Sequence, residues 1–177
     1  MITNGIKFKN FRIFKKSSKI KDQLKLLLRE NNFIIQSLKS KYKDNFDLKR
    51  IKKYRNFQNF RLIGIGGSSL GAEAIYFFLK NKIKKNFLFI NNLVATNRHV
   101  KSKKCLNLIV SKSGETIETI TNSNILINKS DKNIFITENK KNYLSELARK
   151  LKSEVVHHNN FIGGRYSVLS EVGMLPA

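Results

Sequence analysis

Apolar positions recur along this chain in two different periods. Between residues 20 and 38, Leu24, Leu27, Leu28, Ile34, Ile35 and Leu38 follow one another at roughly helical spacing. Asn31-Asn32 stands where that segment would break, so the pattern predicts one long helix or two short ones. Before Lys19, Phe and Ile alternate with Lys and Arg, which fits an irregular arm or a short strand. Residues 39–59 are polar and basic, and read as a connection with a helical turn around Leu48 and Ile51. The character changes at Phe60. Short apolar runs at 60–65, 87–90, 106–110 and 134–137, with a shorter one at 154–156, have the length of buried strands. Helical periods over 70–80, 116–127 and 142–151 separate them. Strands alternating with helices of this length predict βαβ units and a mostly parallel sheet covered on both faces. The expected fold class is therefore α/β, a three-layer αβα sandwich preceded by a helical N-terminal segment. The expected division is a basic helical segment over 1–59 and an α/β domain over 60–177.

Right-handed crossovers would place the turns that follow the strands along one rim. One such turn is Ser111-Lys112-Ser113-Gly114, which stops the run Leu108-Ile109-Val110 before a helix begins near Thr116. Ser111, Ser113, Thr116 and Thr119 put four hydroxyls close to one helix N-terminus. One hydroxyl is enough for a cap. The surplus, where the helix dipole favours negative charge, points to phosphate. A second turn is Gly64-Ile65-Gly66-Gly67-Ser68-Ser69-Leu70-Gly71. It is similar to a dinucleotide fingerprint, but Ser69 stands at the third glycine position and the following strand runs into Asn91-Asn92 with no acidic residue. Ala72-Glu73 after Gly71 also departs from a Walker turn. What remains is a turn whose glycines let a ligand approach the backbone, with Ser68 aimed at it. A third element, Gly163-Gly164-Arg165 within 161–167, offers a tight turn and a fork of guanidinium donors suited to an oxyanion.

The 177 residues are enough for one well-buried domain. Lys plus Arg number 35 against 12 Asp plus Glu, a formal net charge of +23. The basic residues are scattered over loops and helix faces, without a dense tract or an aromatic-studded motif. They read as compositional drift toward Lys, Asn and Ile, with no specific nucleic-acid partner. Cys105 stands alone, so no intrachain disulfide can form, and no His or Cys lies at metal-ligand spacing from it. A packed thiol is the expected role. No apolar stretch is long enough for a signal-peptide core or a bilayer span, so the expectation is a cytoplasmic protein with no membrane partner.

Three blocks together resemble one family, glucose-6-phosphate isomerase, which is built on the sugar-isomerase (SIS) fold. They are 64–71, Ser111-Lys112-Ser113-Gly114-Glu115-Thr116-Ile117-Glu118-Thr119, and Gly163-Gly164-Arg165-Tyr166-Ser167-Val168-Leu169-Ser170 with Val172-Gly173 and Leu175-Pro176. The first two are shared in looser form with other sugar-phosphate isomerases and sugar-phosphate-sensing regulators; the third is specific. The resemblance implies that Ser111, Ser113, Thr116 and the Lys112 backbone clamp the phosphate, with Thr119 completing the clamp. It implies that Gly67 and Ser68 border the substrate, and that Arg165 beside Gly164 stabilises the negative charge of an enediolate. The implied reaction interconverts glucose 6-phosphate and fructose 6-phosphate, with no metal and no cofactor, in a homodimeric enzyme. In the family the carboxylate base, the ring-opening histidine and a late lysine lie downstream of the Gly-Gly-Arg block. The expectation is thus a fragment that holds phosphate and carries the arginine but lacks the base. Glu171 stands where the family usually has a small residue and reads as a surface variation. His157 and His158 read as structural or solvated, and His99 carries no role. The N-terminal arm is short for the family. The alternative is a non-catalytic SIS-domain regulator that binds a sugar phosphate.

Overall fold

The apolar runs pair into one five-stranded sheet, all parallel, of β1 (Asn59–Ile63), β2 (Asn86–Ile90), β3 (Cys105–Val110), β4 (Lys132–Glu138) and β5 (Glu154–His158). The computed structural model describes residues 18–30, 32–39, 41–94 and 105–177. The arm expected before Lys19 falls, up to residue 17, outside the described residues, as does His99. Strand order is β2-β1-β3-β4-β5, so the chain moves outward from the middle of the sheet in both directions. At the switch point β1 and β3 lie side by side, with Ile63 level with Ile109.

Successive strand residues point to opposite faces, and both faces are buried. Leu62, Leu108, Ile134 and Ile136 contribute to one core with Ala72 of α4 (Leu70–Leu79) and Val172 of α7 (Glu171–Met174). Ile63, Ile109 and Phe135 contribute to the other with Leu126 of α5 (Ile117–Leu126) and with Leu144 and Ala148 of α6 (Tyr143–Lys150). This is the three-layer α/β sandwich expected from the sequence. Two polar residues of the layers have partners there: the buried Arg61 donates from Nη1 to the Leu126 carbonyl at 2.9 Å, and the buried Asn107 donates to Asn133 at 2.7 Å.

The N-terminal periodicity resolves into two helices, α1 (Ser18–Arg29) and α2 (Phe33–Ser37). Asn32 ends the ambiguity, because its side chain accepts from the Ile34 N–H and caps α2. Leu24, Leu27 and Leu28 of α1 stay exposed, so their spacing foretold a helix without foretelling burial. The turn expected near Leu48 and Ile51 is α3 (Leu48–Ile51), capped by Asp47. Around it, Phe46, Tyr54 and Phe57 pack on the α4 side of the sheet, and the Tyr54 hydroxyl donates to Glu154 at 2.9 Å. Beyond β5 the chain forms a 3-10 turn over Gly164–Leu169 and then α7, where the sequence predicts a tight turn at 163–165 and no helix. The glycines at 163 and 164 hide any apolar period there. Among the described residues no helix is long and apolar enough to cross a membrane.

Phe135 is fully buried on the central part of the sheet. Its replacement by Ala should lower the unfolding free energy by about 3–5 kcal/mol in a urea titration. A loss below about 1 kcal/mol would contradict burial of this face.

Candidate functional site

Two of the turns singled out in the sequence follow β1 and β3, the two strands at the switch point, and so emerge side by side at their carboxyl ends. Open parallel sheets bind ligands at this position. The backbones of the two strand ends nearly touch: a Cβ on Gly64 would lie 2.9 Å from the Val110 carbonyl oxygen.

In the turn after β3 the hydroxyls bond to one another. Ser111 Oγ lies 2.9 Å from Thr116 Oγ1 and 3.5 Å from Ser113 Oγ. Ser111 Oγ also accepts from the Gly114 N–H at 3.2 Å, and Ser113 Oγ accepts from the Glu115 N–H at 3.2 Å. Thr116 is the N-cap residue of α5, yet its side chain makes no capping bond. Its hydroxyl is turned toward Ser111, so the helix end keeps donors that no capping side chain has taken. Gly114 makes the turn possible, because its φ is +69° and a Cβ would run into the Asn142 side chain. Asn142 in turn donates to Thr137 Oγ1 at 3.1 Å and caps α6. Thr119 sits a turn into α5 and is buried; its hydroxyl makes no hydrogen bond among the described residues.

Lys112 ties this turn to its surroundings. Its carbonyl accepts from the Glu138 N–H at 3.0 Å and from Thr137 Oγ1 at 3.2 Å. Its ammonium donates to the Asn160 carbonyl and lies 3.6 Å from Glu138 Oε1. The β3 turn is thereby fastened to the segment that leads into Gly163-Gly164-Arg165.

The glycine turn after β1 meets the arginine turn directly. A Cβ on Gly67 would collide with the backbone of Gly164, so only glycine allows this approach. Ser167, which is buried, places its hydroxyl 3.1 Å from the Gly67 carbonyl and 2.7 Å from the Gly164 carbonyl. Ser68 is half-buried on the turn. Arg165 is exposed, and its guanidinium makes no hydrogen bond or ion pair among the described residues. A fork donor is thus left available at the rim where the three turns converge.

Glu171 departs from the surface reading. It is fully buried, because the turn after β5 folds back and seats α7 against the strand. Its Oε2 lies 3.0 Å from His158 Nδ1, and its Oε1 accepts from the Tyr42 hydroxyl at 3.1 Å and the Asn45 N–H at 2.9 Å. Burial pushes this carboxyl up, but the hydrogen bonds from His158 and the Asn45 N–H hold it below the usual range. Nearby, burial and then the Glu171 charge push Asp44 up. Burial pushes the Tyr42 phenol up to about 12; the Asn159 hydrogen bond opposes the shift and the Glu171 charge adds to it. Of the paired histidines, His158 is structural and His157 is exposed.

Asn142, Ser167 and the Lys112 side chain escaped the sequence reading. Asn142 carried a signal as a helix cap, but its place behind Gly114 depends on β3 and β4 being neighbours. Among the described residues, no group of three or more His, Cys, Asp or Glu side chains is placed to hold a metal ion.

The phosphoglucose isomerase family model matches residues 50–177, more than half of the chain. A glucose-6-phosphate isomerase of Borreliella afzelii is 38% identical over 141 residues, which cover 68% of this chain and 26% of that protein. One from Acholeplasma laidlawii is 33% identical over 156 residues, 75% of this chain and 37% of that protein. The chain thus spans about a quarter to somewhat over a third of the length of these relatives. Among solved structures, a hypothetical protein from Thermus thermophilus superposes with a TM-score of 0.66 at 23% identity, covering 89% of this chain and 42% of the other. Tagatose-6-phosphate ketose/aldose isomerase from Escherichia coli superposes at 0.54 with 14% identity, covering 68% and 38%. These two share the fold. The family match, which takes in all three turns meeting at the carboxyl ends of β1 and β3, shows that the chain belongs to the phosphoglucose isomerase family.

Proposed function

We propose that this site holds a sugar phosphate for the reversible aldose–ketose isomerisation of glucose 6-phosphate and fructose 6-phosphate. The observation that carries this reading is the meeting of a hydroxyl turn, a glycine turn and an arginine turn at one switch point. Ser111, Ser113, Thr116 and the Lys112 backbone take the phosphate at the N-terminus of α5, where unused N–H groups and the helix dipole favour an anion. The buried, unpartnered Thr119 hydroxyl completes the clamp. Gly67 and Ser68 border the sugar.

In the reaction, a base removes a proton from C2 of the aldose, or from C1 of the ketose, and the electron pair moves onto the carbonyl oxygen to form an enediolate. The hydroxyl proton on the neighbouring oxygen passes to the enediolate oxygen, and return of the first proton to the other carbon leaves the carbonyl on the oxygen that gave up its proton. Arg165, beside Gly164, faces the oxygen on which charge appears; a permanently charged donor there stabilises the transition state by about 3–4 kcal/mol. Neither Glu171 nor His158 can serve as the base, because each is buried in bonds to the other and to its surroundings. None of the 177 residues is proposed as the base. The roles named require no metal or cofactor. In the whole protein they go with a homodimer acting in the cytoplasm on a glycolytic substrate.

Fructose 6-phosphate should raise the thermal midpoint of the chain. Ser111→Ala, Ser113→Ala and Thr116→Ala should each weaken that protection by on the order of tenfold in apparent affinity, since each removes a hydrogen bond to a charged group worth about 1.5–3 kcal/mol. Unchanged protection in all three variants would sink the clamp assignment.

An isomerase assay on the same chain should show ligand binding with almost no turnover. Turnover at a rate typical of enzymes, about 1 per second or faster, would place the base within these residues and overturn that part of the proposal.

A further inference from the structure

The His158 ring joins the two ends of the segment that carries Arg165. Nε2 lies 3.1 Å from the Ile162 carbonyl, just before Gly163, and Nδ1 lies 3.0 Å from the Glu171 carboxylate, just after Ser170. All three residues are buried, with Ile162 and Glu171 at 0% exposure and His158 at 2%. The other carboxylate oxygen holds Tyr42 and the Asn45 N–H, and Asn159 donates to the Tyr42 hydroxyl at 2.8 Å. The ends of the arginine turn are therefore anchored to β5 and to residues 42–45 by a single side-chain network. Both ring nitrogens face oxygen atoms within hydrogen-bond distance.

We infer that His158 and Glu171 are positioning residues that close the 163–170 segment and so aim Arg165. This inference rests on the role proposed for Arg165, but the bolt itself can be tested without it. Turns held by few local contacts open independently of the sheet. Inside 163–170 the side-chain tethers are the Ser167 hydroxyl on Gly67 and Gly164 and the Ser170 hydroxyl on the Ser167 carbonyl; backbone bonds add Tyr166 N–H to Gly163 and Ser170 N–H to Ser167, and the histidine supplies the side-chain bonds at both ends.

His158→Asn keeps an amide near the Nδ1 position to meet Glu171 but is too short to reach Ile162. Native-state hydrogen exchange should then be on the order of tenfold faster at 163–170, with residues 105–110 and 132–138 unchanged. Glu171→Gln should preserve protection, because its amide can donate to a neutral ring while its oxygen still accepts from Asn45 and Tyr42. Equal acceleration across the sheet, or none at 163–170, would overturn the proposal.

The wild-type chain gives a test that needs no variant to fold. The groups facing Glu171 are His158 from β5, and Tyr42, Asp44 and Asn45 from the segment before α3. Glu171 is held below its usual range, so its contribution is complete above about pH 5 and is lost as pH falls through the depressed value. Asp44, pushed up, has the opposite sign and gains stability on taking its proton. On acidification, exchange corrected for its intrinsic rate should accelerate at 163–170 before the sheet does; simultaneous opening would overturn the bolt.

The link to Arg165 is read with two probes. His158→Asn should weaken fructose 6-phosphate binding on the order of tenfold and leave inorganic phosphate binding unchanged, because the hydroxyls at 111–116 are held by one another and by the backbone of their own turn. Equal loss for both probes would overturn the aiming role. If the wild-type chain bound neither probe, the functional reading would fall while the exchange results still decided the bolt.

Discussion

The site depends on β1 and β3 being parallel neighbours. Their register sets Ile63 beside Ile109, so the chain leaves both strands at the same level, and Gly64 and Val110 nearly touch. A shift by one residue would turn every side chain to the opposite face and separate the two turns. Burial on both faces prevents that shift, because Leu62 with Leu108 and Ile63 with Ile109 each fill a different core. Packing energy far from any ligand therefore holds the glycine turn against the hydroxyl turn.

The hydroxyl turn shows how a local element can be stable without being saturated. Ser111 and Thr116 satisfy each other, and Gly114 with Asn142 fixes the backbone. The α5 N-terminus is left without a side-chain cap, whereas α6 has a complete capping box. A side-chain cap stabilises a helix by about 1 kcal/mol, and α5 forgoes that contribution at the end where an anion would supply the same bonds. Lys112 shows the converse, since its ammonium is committed to Asn160 and Glu138 and serves the architecture of the turn.

Burying a carboxylate with a histidine is costly in itself, and such pairs are poor general stabilisers. Glu171 tolerates burial because both its oxygens have donors and its partner ring is anchored to a backbone carbonyl. What such a pair supplies is geometry: it permits one arrangement of β5, the arginine turn and residues 42–45. The adjoining Asp44 has an unpartnered buried oxygen among the described residues, and burial first, then the Glu171 charge, pushes its carboxyl up.

The sequence by itself determined the strands, the helices between them and the residues that make up the three turns. Those features are local: unbroken apolar runs, a 3.6-residue period, and glycines or hydroxyls where a strand stops. At Asn31-Asn32 it left one long helix or two short ones open, and the Asn32 cap on the Ile34 N–H decides for two. Only the tertiary structure decided which turns meet, since the approach of Gly67 to Gly164 spans almost a hundred residues and leaves no periodic trace. Glu171 is the clearest case. Beside Ser170 and Val172 it looks like one more surface acid, and nothing within its own segment foretells His158, Tyr42 and Asn45 around it. Whether a charged side chain faces solvent or the interior is set by what long-range packing brings to it, and a linear pattern does not record those neighbours.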